Sequence, residues 1–118
     1  MKNLSMAVVV RNGCVLVQKR YRHNQGMVFE FPGGAVDPKE SGVQAAVREL
    51  WEETGISNVK ALGSHTLTNQ FGGDIHYVLM ATSAGIEPEA LDPERQQSFY
   101  WFDPTDIPLT DFYDADIE

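Results

Sequence analysis

The chain has 118 residues, 17 of them acidic and nine basic, for a formal net charge of −8. That length makes a single domain over residues 1–118, with material for one core and none for a second, and 42% hydrophobic with 22% charged residues is ordinary globular composition rather than that of a disordered chain. So negative a charge argues against sequence-independent binding to nucleic-acid polymers, which depends on basic patches, and no apolar run approaches a membrane span.

No signal peptide precedes the first strand, and the only cysteine, Cys14, reads as a small buried hydrophobe that has no partner for an intramolecular disulfide. A cytoplasmic protein with a small-molecule partner is the expectation. Residues 5–11 and 14–19 are β-branched and apolar and flank Asn12-Gly13, the strongest short hairpin signal, so the chain opens as a hairpin. Residues 24–26 break the pattern, 28–31 form a short extended piece, and Pro32-Gly33-Gly34 is expected to turn the chain.

A helix is expected over 42–54. Asp37-Pro38 reads as a turn ahead of it, Ser41 and Gln44 have the spacing of a capping box, and Gly55 stands where a left-handed residue closes a helix. Strands follow over 59–67 and 75–83, joined across 69–74, with His65 and His76 in them as structural residues. An aromatic strand over 99–102 comes last, and Asp103-Pro104 starts a turn toward Ile107-Pro108. The stretch from Asp103 onward carries six acidic residues and no Lys or Arg. Strands on both sides of an amphipathic helix imply the α/β class, with a mixed β-sheet under helical cover.

The chemistry concentrates on that helix. At about 100° per residue, Glu49, Glu52 and Glu53 fall within an arc of roughly 100°, while Val43, Ala46, Val47, Leu50 and Thr54 follow the spacing of a buried face. The expectation is a packed back and an acidic front. Like charges three and four residues apart repel, and Arg48 offsets this only partly through Glu52. A hard divalent cation, Mg²⁺ or alternatively Mn²⁺, takes oxygen ligands and is commonly shared between carboxylates and substrate phosphates, so it would relieve the repulsion. Arg20, in the basic segment just before the glycine turn, is the cation best suited to meet a phosphate chain, since a guanidinium contacts phosphate oxygens in a fork.

The spacing is longer than an acidic run. Gly34, five residues, Glu40, seven residues, Arg48-Glu49, an aliphatic, any residue, Glu52-Glu53, any residue, Gly55 and an aliphatic follow one another in order. This segment, residues 34–56, resembles the Nudix box of the Nudix hydrolases at every position. The opening Met6-Ala-Val-Val-Val strand and the lead-in Phe29-Glu30-Phe31-Pro32-Gly33 are similar to the MutT-like branch, a likeness that weakens beyond Tyr77.

The resemblance implies an α/β/α sandwich with a mixed sheet and the Nudix helix packed on it. It implies metal ligation by Glu52, Glu53 and the backbone carbonyl of Gly33, with Glu49 either a further ligand or the group that activates water. Arg48 is then an orienting partner, Glu40 an anchor for the loop, and Gly34 and Gly55 structural glycines of the motif. Glu94, with Glu89 as the fallback, would bring one more glutamate from a loop, and Asp111 would read a base edge. An ionised aspartate only accepts hydrogen bonds, which favours donor edges such as guanine or an aminated pyrimidine.

The reaction implied is Mg²⁺-dependent hydrolysis of a nucleoside diphosphate linked to another group, first a nucleoside triphosphate or oxidised dNTP cut to monophosphate and pyrophosphate. ADP-ribose or a nucleotide sugar is the alternative substrate, and a non-catalytic nucleotide-binding module the third reading. The protein is expected as monomer or homodimer.

Overall fold

The computed structural model describes residues 3–22, 26–68, 72–82, 87–89 and 97–106. Strand β1, Leu4–Arg11, turns at Asn12-Gly13 into β2, Cys14–Arg22, and Val10 faces Val15 in the antiparallel pair. Asn12 and Gly13 have φ of 52° and 80°. Two consecutive left-handed residues are what a type I′ turn requires, and they match the twist of the strands they join.

Strand β2 extends past the expected end at Lys19 because β3, Gly26–Glu30, runs back along its second half, with Gln18 opposite Glu30 and Arg22 opposite Gly26. The Pro32-Gly33-Gly34 segment, expected as a turn, leads directly into a three-residue strand, β4, Gly33–Ala35, antiparallel to β1. A Cβ on Gly33 would collide with the carbonyl oxygen of Ser5, so the close pairing exists because no side chain stands there.

Helix α1 is Gly42–Thr54, with the expected bounds. Ser41 accepts from the Gln44 N–H at 3.0 Å, the Gln44 side chain accepts from the Ser41 N–H at 2.9 Å, and Gly55 closes the helix at φ 79°. Strands β5, Val59–Thr68, and β6, Asp74–Thr82, form an antiparallel pair, and β6 lies parallel to β1. Strand β7, Ser98–Phe102, pairs with β2, and a 3₁₀ turn, Pro104–Asp106, follows it. Among the described residues these strands make one mixed seven-stranded sheet.

Helix α1 packs on one face of this sheet, where Ala46 and Leu50 join Ala7, Val9, Leu16, Ile56, Val78 and Met80 in the core. The α/β expectation holds. The second helical layer of the three-layer sandwich is not among the described residues. On the face away from α1, Phe29 meets Tyr100 and Phe102 at ring-centroid distances of 6.0 and 5.8 Å.

The rotation of α1 about its axis departs from expectation. Val43 is 37% exposed, whereas Ala45 and Glu53 are buried beside Ala46, Leu50 and Thr54. Glu53 follows Ala46 by seven residues, about 20° short of two full turns, and so lies on the side that faces the sheet. The helix therefore does not divide into an apolar back and a uniformly solvated acidic front.

Candidate active site

Alternation along β2 puts Leu16, Gln18 and Arg20 on the α1 side of the sheet. Leu16 meets the helix as core, and Gln18 meets it as a hydrogen-bond donor. The Gln18 Nε2 donates to Glu53 Oε1 at 3.2 Å and to Glu30 Oε1 at 2.9 Å. Gln97, just before β7, donates to Gln18 Oε1 at 3.0 Å and to Glu53 Oε1 at 3.4 Å. The other oxygen of Glu53 accepts the Gly33 N–H at 3.1 Å. A carboxylate only 3% exposed is tolerable because these donors replace water.

Arg20 belongs to the same cluster, its Nε 3.6 Å from Glu30 Oε1. Arg20 thus stands beside a buried glutamate, 4% exposed, to which the sequence reading assigned no role.

Gly34 explains the position of Glu49. A Cβ at Gly34 would stand 2.6 Å from the Glu49 carboxyl carbon, so the carboxylate lies against the bare backbone of β4. Gly33 and Gly34 thereby bring one strand against both Glu53 and Glu49.

Arg48 gathers the remaining acids. Its Nε and Nη2 bond the two oxygens of Glu40 at 2.8 and 3.0 Å, and Nη2 also donates to the Ala35 carbonyl at 3.0 Å. Its Nη1 reaches Glu49 at 2.9 Å and Glu52 at 2.8 Å, and Asp37 lies 3.5 Å away. The Glu40 bond, then those to Glu52 and Glu49, push the guanidinium well above its ordinary range. The same Arg48 bond, reinforced by the Asp37 N–H, holds the Glu40 carboxyl below the usual carboxylate range. Glu40 ties the 37–40 turn to the helix, as a loop anchor must.

The three helix glutamates are graded rather than equivalent. Glu53 is buried, the Glu49 side chain is 17% exposed, and that of Glu52 is 42% exposed. Among the described residues no three acidic, histidine or cysteine side chains converge on one point, because Glu49 and Glu52 lean on Arg48 while Glu53 turns inward.

The donor chemistry nevertheless fits a hard divalent cation. Asp37, Glu40, Glu49 and Glu52 share a single guanidinium, and Glu40 takes its Nε–Nη2 edge. Glu49 and Glu52 are left with one nitrogen between them, so negative charge remains in excess. An exposed ion pair such as Arg48–Glu52 is worth at most about 1 kcal/mol, and a cation competes for its carboxylate at little cost.

Glu94 and Asp111 lie outside the described residues. The fallback, Glu89, is exposed, and its N–H donates to the Thr54 carbonyl at 2.9 Å, which sets it at the end of α1 next to Glu53. His76 bonds Thr66 at 2.8 Å and packs on Gly42, a place inside the framework. The sequence reading missed Gln18 and Gln97. The one signal for Gln18 is a polar residue at an inward position of an otherwise apolar strand.

The NUDIX domain matches residues 1–118. The chain is 33% identical to the CTP pyrophosphohydrolase of Escherichia coli (strain K12), over 92% of this chain and 88% of that protein. Its fold is similar to the crystal structure of a MutT NUDIX hydrolase from Burkholderia pseudomallei, with a TM-score of 0.70 at 27% identity, over 98% of this chain and 92% of that one. It is also similar to the solution structure of the Escherichia coli ORF135 protein, with a TM-score of 0.68 at 31% identity, over 99% and 84% of the two chains. The box residues, the mixed sheet under helix α1 and these likenesses agree, and the chain belongs to the Nudix hydrolase superfamily, in its MutT-like branch.

Proposed function

We propose that this protein is a Mg²⁺-dependent pyrophosphohydrolase that cuts a nucleoside triphosphate to the monophosphate and pyrophosphate. The observation that carries the reading is the carboxylate excess around Arg48, set against the Gly33-Gly34 strand, in a chain with a complete Nudix box. The 33% identity to a CTP pyrophosphohydrolase makes cytidine triphosphate the first substrate to try.

Glu49, Glu52, Glu53 and the Gly33 carbonyl would hold the metal. A bound divalent cation supplies charge neutralisation for the phosphate chain and lowers the pKa of water. The protein's own groups do the rest by positioning, which phosphoryl transfer needs more than covalent help. Glu53 is fixed in direction by Gly33 and Gln18, and Arg48 orients Glu49 and Glu52. Water oxygen bonds to phosphorus as the bridging P–O bond breaks, pyrophosphate departs with the bond's electrons, and a carboxylate, Glu49 in this reading, takes the proton. Arg20, steadied by Glu30, contacts phosphate oxygens. Glu94 as a further ligand and Asp111 as the reader of a base edge extend the same proposal.

The test is pyrophosphate release in Mg²⁺ from CTP, dCTP, GTP, 8-oxo-dGTP and ADP-ribose. Turnover of a triphosphate with monophosphate as co-product is expected. Phosphosugar release from ADP-ribose alone would move the assignment to the alternative substrate class, and no turnover of any triphosphate would reject it.

A further inference from the structure

We propose that Gln18, assisted by Gln97, is a positioning residue for the metal-holding carboxylate Glu53, an inference that rests on the pyrophosphohydrolase reading above. The two amides meet on one atom. Gln18 Nε2 at 3.2 Å and Gln97 Nε2 at 3.4 Å both donate to Glu53 Oε1, and Gln97 also fixes Gln18 through a 3.0 Å bond to its carbonyl oxygen. All three side chains are buried, and their partners come from β2, from the segment before β7 and from α1, separated by as many as 79 residues.

The chemistry of an amide suits this place. A lysine or arginine there would neutralise Glu53 and compete with a cation for it. A carboxylate would add a third negative charge beside Glu53 and Glu30. A glutamine donates without charge, so it orients Glu53 without itself competing with a cation for the carboxylate. Because the Gln18 nitrogen bonds Glu30 as well, at 2.9 Å, and Glu30 lies 3.6 Å from Arg20, one side chain sets the spacing between the carboxylate meant for metal and the arginine meant for phosphate.

The experiment compares wild type, Gln18→Met and Gln97→Met by three measurements: Mn²⁺ affinity by calorimetry, kcat and KM for CTP with saturating Mg²⁺, and melting by circular dichroism in EDTA. Loss of an outer-shell partner typically lowers metal affinity or activity by about 10- to 100-fold. Gln18→Met is expected to weaken Mn²⁺ binding by that order and to lower kcat with little change in KM, and Gln97→Met to do the same to a smaller extent. A purely structural role would lower the EDTA melting point and leave Mn²⁺ affinity within twofold of wild type, which overturns the inference. Should Gln18→Met fail to fold, Gln97→Met, outside the strands and just before β7, decides by the same criteria. A wild type that binds Mn²⁺ and turns over a triphosphate, beside variants that bind equally well, sinks this inference alone. A wild type that does neither sinks the functional reading together with it.

Discussion

Glu53 and Arg48 do opposite things with charge. Glu53 is buried and meets amides and a peptide N–H, whereas Arg48 sits half-buried and spreads one positive charge over several carboxylates. Glu53→Gln keeps the volume of the side chain and an oxygen to accept from Gln18 and Gln97, while its amide nitrogen gives up the bond from the Gly33 N–H. The fold should persist, while the rate of pyrophosphate release should fall by several orders of magnitude, since an amide is a poor ligand for a hard cation. Circular dichroism and a pyrophosphate assay check the two halves, and near-normal turnover would contradict the role given to Glu53. Arg48→Lys keeps the charge and loses the fork that grips both oxygens of Glu40. Its expected effect is a destabilisation of about 1–3 kcal/mol, read as a lower urea midpoint at unchanged slope. Arg48 and Glu40 were legible as positions of the motif, although the bond between them, across eight positions, was not foreseen. Gln18 and Gln97 were not, because their meaning lies in contacts to Glu53 across 35 and 44 positions, which no local spacing encodes.

Among the elements, α1 was the most legible, for the same reason that it is the most testable. Its start and stop are written in side chains that act within four residues: the Ser41–Gln44 box and the left-handed Gly55. Ser41→Ala removes the acceptor for the Gln44 N–H and should cost about 1 kcal/mol, measurable by chemical denaturation, against about 2–5 kcal/mol for Leu50→Ala in the core. An equal loss from both would mean that the cap carries more than its one bond. Strand β4 escaped the sequence reading because two glycines have no hydrophobic pattern, and their pairing exists only once β1 is there to receive them. The rotation of α1 about its axis escaped it too, since a helical wheel ranks faces by apolarity and cannot foresee that a carboxylate will be drawn inward by Gln18.

The turn that precedes α1 contributes a pH dependence of its own. The Arg48 bond and the Asp37 N–H depress the Glu40 carboxyl below its ordinary value of 4.5. A group whose pKa is lower in the folded than in the unfolded state stabilises above the unfolded value, and that contribution disappears as pH falls through the folded value. Melting temperatures of wild type and Glu40→Gln should differ by a constant amount from pH 7 down to about 4.5 and then converge in more acidic buffer. An offset that stays unchanged to pH 3 would mean that Glu40 acts by packing rather than by charge.

At the scale of the whole molecule, the net charge of −8 and the local excess at α1 make different predictions about ions. Diffuse self-repulsion responds to ionic strength alone, so NaCl and MgCl₂ matched in ionic strength should screen it alike. A specific site adds a term that grows with ligand concentration over its dissociation constant, about 1.4 kcal/mol at a tenfold excess, which for a domain of this size is several degrees of melting temperature. MgCl₂ should therefore raise the melting temperature further than ionic-strength-matched NaCl in the wild type. In Glu53→Gln the two salts should act alike, because the variant loses the site and only one charge of the diffuse field. Leu50→Ala should melt lower in either salt yet keep the full Mg²⁺ increment, which separates loss of core packing from loss of the cation. Equal shifts by both salts in the wild type would leave the acidic helix as a screened surface, and the carboxylate excess around Arg48 would then need a partner other than a divalent ion.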